Sequence, residues 1–258
     1  MSLFLKRYLS RRENIFEAAV PPPVAEPQAA VTAVPTLDPR TELAFGYLCG
    51  EGLEIGALHS SLPVPACAKV RYVDRMSTEN LRKQYPELAE QHLVEPDIID
   101  DGEILSSVAD ASLDFVIANH MIEHCQNPIA TIQNHLRVLR PDGVLYMAVP
   151  DKRYTFDQDR PVTPLEHVVR DYREGPGWSR EAHYEEYVRL VDKVGPENVR
   201  QHAQYLMGMD YSIHFHVWTQ FDFLRLLDWC RSNLPVAFDI EAFRKNSIEF
   251  IAVLRVSS

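Results

Sequence analysis

Apolar residues gather in short, nearly continuous runs along this chain: Gly52-Leu-Glu-Ile-Gly-Ala57, Val70-Arg-Tyr-Val-Asp74, Pro96-Asp-Ile-Ile-Asp-Asp-Gly102, Leu113-Asp-Phe-Val-Ile-Ala-Asn119 and Gly143-Val-Leu-Tyr-Met-Ala-Val-Pro150. Runs of this length predict parallel strands covered on both faces. Between the last two, Asn127 to Leu139 carries Ile129, Ile132, Leu136 and Leu139 at helical spacing. Asn127 reads as the N-cap and Pro128 as the first helical residue. Pro141-Asp-Gly143 predicts a turn back into the sheet. Further on, the pattern predicts helices over Pro164–Tyr172, Arg180–Val194 and Phe221–Cys230. It predicts strands over Pro235–Glu241 and Glu249–Arg255, joined through Lys245-Asn246. Strands and helices in this order predict a doubly wound α/β sheet.

The first two runs carry a chemical signal. A strand ends in a turn at Gly56, and a second strand ends in a carboxylate, Asp74, twenty residues after Glu54. That spacing sets the tip of the second strand beside the tip of the first. Asp74 can there accept both hydroxyls of a ribose, while Gly56 lets backbone approach the ligand. The turn is no Gly-x-Gly-x-x-Gly and no phosphate loop is present, so diphosphate cofactors are disfavoured. Pro63 and Pro65 break the helix such a site requires. S-adenosylmethionine, a nucleoside with an amino-acid tail, fits the milder demands, with Glu54 facing its ammonium.

Composition narrows the setting. The chain has 258 residues, 46% of them hydrophobic, and a formal charge of −11, enough for one mid-sized domain with an appendage. No basic stripe with interleaved aromatics appears, which argues against nucleic acid as a partner. Cys49, Cys67, Cys125 and Cys230 lack CxxC spacing, pointing to reduced thiols in a cytoplasmic protein and away from zinc-thiolate chemistry. Residues 1–39 form a basic amphipathic segment and a Pro/Ala-rich linker, leaving 40–258 as the folded domain. The basic segment, residues 1–19, suits a peripheral contact with a membrane surface or a protein and is too short and charged for a signal peptide.

Over about Gly52 to Pro150 the chain resembles class I S-adenosylmethionine-dependent methyltransferases. The resemblance rests on Glu54-Ile-Gly56, Asp74, Asp100-Asp101, Asn119-His-Met-Ile-Glu-His124 and Leu139-Arg-Pro-Asp-Gly143. It implies a Rossmann-like sheet whose last two strands form an antiparallel edge hairpin. It implies that Asp74 holds the ribose and that Asp100 or Asp101 meets the adenine amine. The segment from Asn119 would then face the sulfonium and the acceptor. The glycine loop keeps one glycine where the family often has three. Asp151-Lys-Arg-Tyr-Thr-Phe-Asp157 and Arg160-Pro-Val-Thr-Pro-Leu-Glu-His167 are similar to bacterial methyltransferases found with polysaccharide genes.

The expected chemistry is O-methylation of a small polar or glycan-type acceptor, under a helical cap over about 151–221. A hydroxyl acceptor needs a base. His120, just past the fourth strand, and Asp151, just past the fifth, are the candidates. The acceptor side is expected to use His124, Arg153, Arg160, His214 and His216. His214 and His216 alternate with Ile213, Phe215 and Val217. That pair could bind a metal with Asp210, line the acceptor pocket or simply form packed polar contacts, and no metal is assigned. His167 and His183 sit on helical patterns as structural residues. A non-catalytic scaffold on the same fold and a nucleotide-sugar oxidoreductase are the other readings. Turnover separates the first from an enzyme, and cofactor identity separates the second.

Overall fold

A computed structural model describes residues 38–258 of the chain, apart from 86, 87 and 89. The basic segment at residues 1–19 and most of the linker lie outside the described residues. Pro39, the end of that stretch, opens helix α1 (Pro39–Tyr47), capped by the Asp38 carboxylate on the N–H groups of Arg40 and Thr41. The sheet has seven strands: β1 (Gly50–Ile55), β2 (Ala68–Asp74), β3 (Ile98–Ile99), β4 (Leu113–Asn119), β5 (Leu139–Pro150), β6 (Phe238–Asn246) and β7 (Glu249–Val256). Their order is β3-β2-β1-β4-β5-β7-β6. Strands β1 to β5 pair in parallel, and β7 runs antiparallel to both β5 and β6. This is the expected doubly wound Rossmann-like sheet with its antiparallel edge hairpin.

Alternate residues of each central strand feed two cores, which explains the unbroken apolar runs. On one face Leu53, Val116, Leu145 and Ala252 pack with Ile129, Ile132 and Leu136 of α3 (Pro128–Val138). Phe223 and Leu227 of α7 (Gln220–Asn233) join them. On the other face Phe115, Ile117, Tyr146 and Val253 meet Ala44 of α1 and Leu48 just after it. The β1–β2 crossover, with Pro63 and Pro65, forms no helix. Leu62 from that crossover and α1 cover the face instead. β1 approaches β4 closely at Gly52, where a Cβ would stand 2.3 Å from the Phe115 ring.

Three expected boundaries move. The third strand keeps only Ile98–Ile99, because Asp100 to Ser107 turn in a loop of their own. The Pro141–Gly143 turn sits inside β5: β4–β5 pairing jumps from Leu113–Leu139 to Phe115–Val144. The last hairpin turns at 247–248 rather than 245–246. Helix α2 (Thr78–Gln84) follows β2 and was not expected. Between β5 and α7 the chain forms α4 (Leu165–Glu174), α5 (Arg180–Leu190) and α6 (Val199–Gly208). Tyr184, Tyr187, Val188, Ala203, Leu206 and Phe215 give this insertion its own small core. Segment 211–217 is extended but pairs in no strand, and Ile213 to Trp218 are all buried. Among the described residues, no helix is long and apolar enough to cross a membrane.

Candidate active site

The tips of β1, β2 and β4 open into a cavity of about 500 Å³, where the strand order reverses between β1 and β4. Open α/β sheets bind ligands at that point. Gly56 lines it at φ +64, and a Cβ there would meet open space. The glycine is needed for its left-handed backbone rather than for lack of room. Asp74 lines it from the end of β2. Burial raises its pKa, and the N–H groups of Arg75 and Met76 partly offset that. Asn119 accepts the Ala148 N–H at 3.1 Å through Oδ1. Its Nδ2 is buried with no hydrogen-bond partner among the described residues, and Asn119 belongs to the cavity wall. Such an orphaned donor fits a ligand oxygen.

Of the two acids after β3, Asp101 lines the cavity and Asp100 does not. Asp100 is consumed by its own loop, accepting from Ser106 Oγ at 3.0 Å and from Ser107 N and Oγ at 2.8 and 2.6 Å. Burial, the largest single influence, would raise its pKa, but the bonds from Ser107, Ser106 and the Asp101 N–H together hold it at about 2. Glu103, which the sequence reading did not single out, also lines the cavity. Burial and the neighbouring Asp101 charge push it up to about 7. Leu58, Leu81, Tyr85 and Leu88 supply an apolar wall.

The far wall holds His120, Met121, His124, Gln126, Asp210 and Ser212. His120 sits at φ +50, a strained setting for a residue with a Cβ. Its Nε2 is 2.6 Å from Glu249 Oε2, and its Nδ1 is 3.6 Å from Glu123 Oε1. Glu249 opens β7 opposite Pro150. It also accepts from both Arg40 Nε, at 2.6 Å, and Arg40 Nη2, and from Asn246 Nδ2 at 2.7 Å. Burial would raise its pKa, but His120 and Arg40 hold it well below the usual carboxylate range. A carboxylate only accepts, so the proton of the neutral ring resides on Nε2 and the lone pair on Nδ1. Glu123 is buried with both oxygens lacking a hydrogen-bond partner among the other described residues, and burial raises its pKa. Its Oε1 lies 3.8 Å from His214 Nε2.

Residues 48–147 match the family model described as a methyltransferase domain. This stretch is a class I S-adenosylmethionine-dependent methyltransferase domain. The fold is similar to a solved S-adenosylmethionine-dependent methyltransferase of Methanosarcina mazei, at 17% identity over 86% of this chain and 99% of that one, TM-score 0.45. An Aquifex aeolicus methyltransferase structure aligns at 12% identity over 86% and 94% of the two chains, TM-score 0.41. The PH0226 protein of Pyrococcus horikoshii aligns at 18% over 81% and 82%, TM-score 0.43. No curated protein matches the chain. At such levels of likeness the functional assignment rests on the family match and on the site. The cofactor of the methyltransferase is S-adenosylmethionine, and Asp74, Gly56, Asp101 and the Asn119 amide are the cavity residues that suit a nucleoside with an amino-acid tail.

Several expected site residues stand elsewhere in the methyltransferase. Glu54 turns away from the cavity and accepts the Leu62 N–H at 2.9 and 3.1 Å, organising the proline-rich crossover. Burial pushes its pKa to about 7. Asp151 lies outside the cavity wall; it caps the turn after β5 and binds Arg153 through both oxygens, at 2.9 and 2.6 Å. Arg153 is thereby tied to Asp151. Arg160 is fully buried: it binds Asp157 and Glu186 and donates to the carbonyls of His214 and Phe215. Arg160 is a strut of the insertion and does not line the cavity at the strand tips. His214 and His216 part company. His214 Nδ1 meets Asp157 Oδ2 at 2.7 Å and its ring packs on His124, while His216 faces Asp171. Asp210 pairs with Arg180 and is remote from both in its bonding. His124 remains a lining residue, its pKa lowered well below the imidazole range by burial and by His214.

Proposed function

We propose that this methyltransferase acts on an oxygen of a small polar or glycan-type acceptor, with His120 as the base. The observation that carries the reading is His120 at the cavity wall, its Nε2 held 2.6 Å from Glu249. Bound S-adenosylmethionine supplies an electrophilic methyl on a sulfonium, already activated for in-line displacement. Asp74 would hold the ribose hydroxyls, Asp101 the adenine amine, and Asn119 Nδ2 an oxygen of the ligand tail. His120 accepts the acceptor's hydroxyl proton on Nδ1, and Glu249 stabilises the resulting imidazolium, the role of the carboxylate in a triad. His124, Gln126, Asp210 and Ser212 form the polar wall that an acceptor rich in hydroxyls would meet. The helices of residues 151–221 act as the cap on that side. A role in polysaccharide synthesis, a cytoplasmic location and a membrane or protein contact through residues 1–19 complete the proposal. They are supported by the sequence similarity, the scattered cysteines and the basic N-terminal pattern.

The test is a screen of nucleotide sugars and short glycans for methyl incorporation, followed by His120→Gln on the acceptor found. Turnover should fall on the order of 10²–10⁴-fold with binding of S-adenosylhomocysteine unchanged. Wild-type turnover in the variant would remove His120 from the mechanism. Incorporation on nitrogen or carbon would overturn the oxygen assignment.

A further inference from the structure

Four side chains converge inside the insertion, away from the cavity wall: His167 and Asp171 on α4, His183 on α5 and His216 on the extended segment. His167 and Asp171 are four residues apart and share one helix face. One ligand-capable atom from each lies within 4.8 Å of all the others. His167 Nε2 stands 3.0 Å from His183 Nε2 and 3.3 Å from Asp171 Oδ2. His216 Nε2 stands 3.6 Å from Asp171 Oδ2. Ligands about 2.0–2.1 Å from a tetrahedral ion are separated by about 3.3 Å, and the three separations of 3.0, 3.3 and 3.6 Å bracket that value.

The hydrogen bonding of the group is incomplete without something at its centre. Asp171 is completely buried, and its Oδ2 has no hydrogen-bond partner among the described residues. Its Oδ1 is fixed by Ser179 Oγ at 2.9 Å. That bond locks the carboxylate with the orphaned oxygen turned towards the three rings. His216 is also completely buried, and its Nε2, on the Asp171 side, stands 3.4 Å from the Gln126 carbonyl oxygen. A buried carboxylate oxygen left bare among imidazoles is costly, and a cation removes the cost. Trp218 stacks on His216 and Trp178 packs on His167, shielding the group.

We propose that His167, Asp171, His183 and His216 bind a structural zinc ion. Three imidazole nitrogens and one carboxylate oxygen suit zinc, and four protein ligands close the shell without a position for a reacting water. Ser179 is the outer partner that orients the carboxylate ligand. The ion ties α4 and α5 to segment 211–218. Ser212 of that segment lines the cavity, so the metal holds the acceptor wall in place. The proposal departs from the sequence reading, which assigned no metal and placed His167 and His183 as structural residues. It is independent of which atom is methylated.

The full chain, purified without an affinity tag or chelator, should contain stoichiometric zinc by plasma mass spectrometry. Stripping with dipicolinate should lower the thermal midpoint, and added zinc should restore it. Cobalt added to the stripped protein should give the intense visible band of tetrahedral coordination. Asp171→Asn and His183→Gln should lose the metal, while Glu123→Gln, at the neighbouring Glu123–His124–His214 group, should keep it. If those two variants fail to fold, the cobalt spectrum of the stripped wild type decides. Zinc-free protein that neither binds cobalt nor gains stability from zinc would overturn the proposal. So would loss of zinc in Glu123→Gln with retention in Asp171→Asn.

Discussion

Replacing Glu249 by glutamine keeps the side chain's shape and removes one buried negative charge. The side chains of Glu249 and Arg40 are only 5% and 14% exposed, so water does little to relieve the loss. The carboxylate accepts from Arg40, Asn246 and His120 together. Breaking a buried pair by removing one partner costs about 3–5 kcal/mol, and glutamine, which keeps one acceptor oxygen, belongs at about 3. With a slope of about 2 kcal/mol per molar, that loss moves the urea midpoint by roughly 1.5 M. A second readout separates fold from chemistry. Glu249 is outside the cavity wall, so affinity for S-adenosylhomocysteine should hold. His120 loses the negative charge that fixes its Nε2 proton and stabilises its imidazolium, so kcat should fall on the order of 10²-fold or more. Urea unfolding, calorimetry and turnover on the same preparation give all three numbers. A lowered midpoint with unchanged kcat would refute the view that Glu249 orients a base. An unchanged midpoint would refute the buried network itself.

Arg160→Met should destabilise the insertion by about 3–5 kcal/mol, because Asp157 is left buried beside an apolar side chain. Protease nicking confined to residues 151–219, with cofactor binding retained, is the expected result. His135 is buried in α3, donates to Gly102 O at 2.8 Å and is held by burial at a pKa of about 4. Its unfolded value is about 6.5, so the unfolded chain takes the proton first and stability falls as pH drops from 6.5 towards 4. At pH 5 this group contributes a loss of about 2 kcal/mol, so His135→Gln should lose that much less between pH 7 and pH 5 than the wild type. Equal losses in the two proteins would contradict the burial argument.

Much of the sheet could be read from apolar runs alone. β1, β4 and the end of β5 emerge because strands buried on both faces leave little room for polar residues, and α3 emerges from its helical spacing. Asp74 could be read because a strand tip with an acid at fixed spacing has few other uses. Helix α6 could not, since it buries only Ala203 and Leu206. Glu249 could not either: it looks like an ordinary edge-strand residue, and only the β5–β7 register brings it to His120, 129 residues away. The charges of Asp151, Arg153, Asp157 and Arg160 suggested an acceptor site, whereas they are satisfied within the protein. Sequence does not distinguish a buried ion pair from one facing a ligand. The helical pair His167–Asp171 is visible as a spacing, but its partners His183 and His216 come from other elements.

The central claim is that the cavity at the β1–β4 reversal holds S-adenosylmethionine, with Asp74 on its ribose. Titration calorimetry of S-adenosylhomocysteine into the wild type and Asp74→Ala tests it most directly. Asp74 bears a raised pKa through burial and lines the cavity, so its loss leaves ligand hydroxyls without their acceptor. The account predicts tight binding to the wild type, none of NAD, and a loss of about 1–3 kcal/mol, roughly 5- to 150-fold in Kd, in the variant. Equal affinity in the two proteins, or binding of NAD in place of S-adenosylhomocysteine, would contradict it.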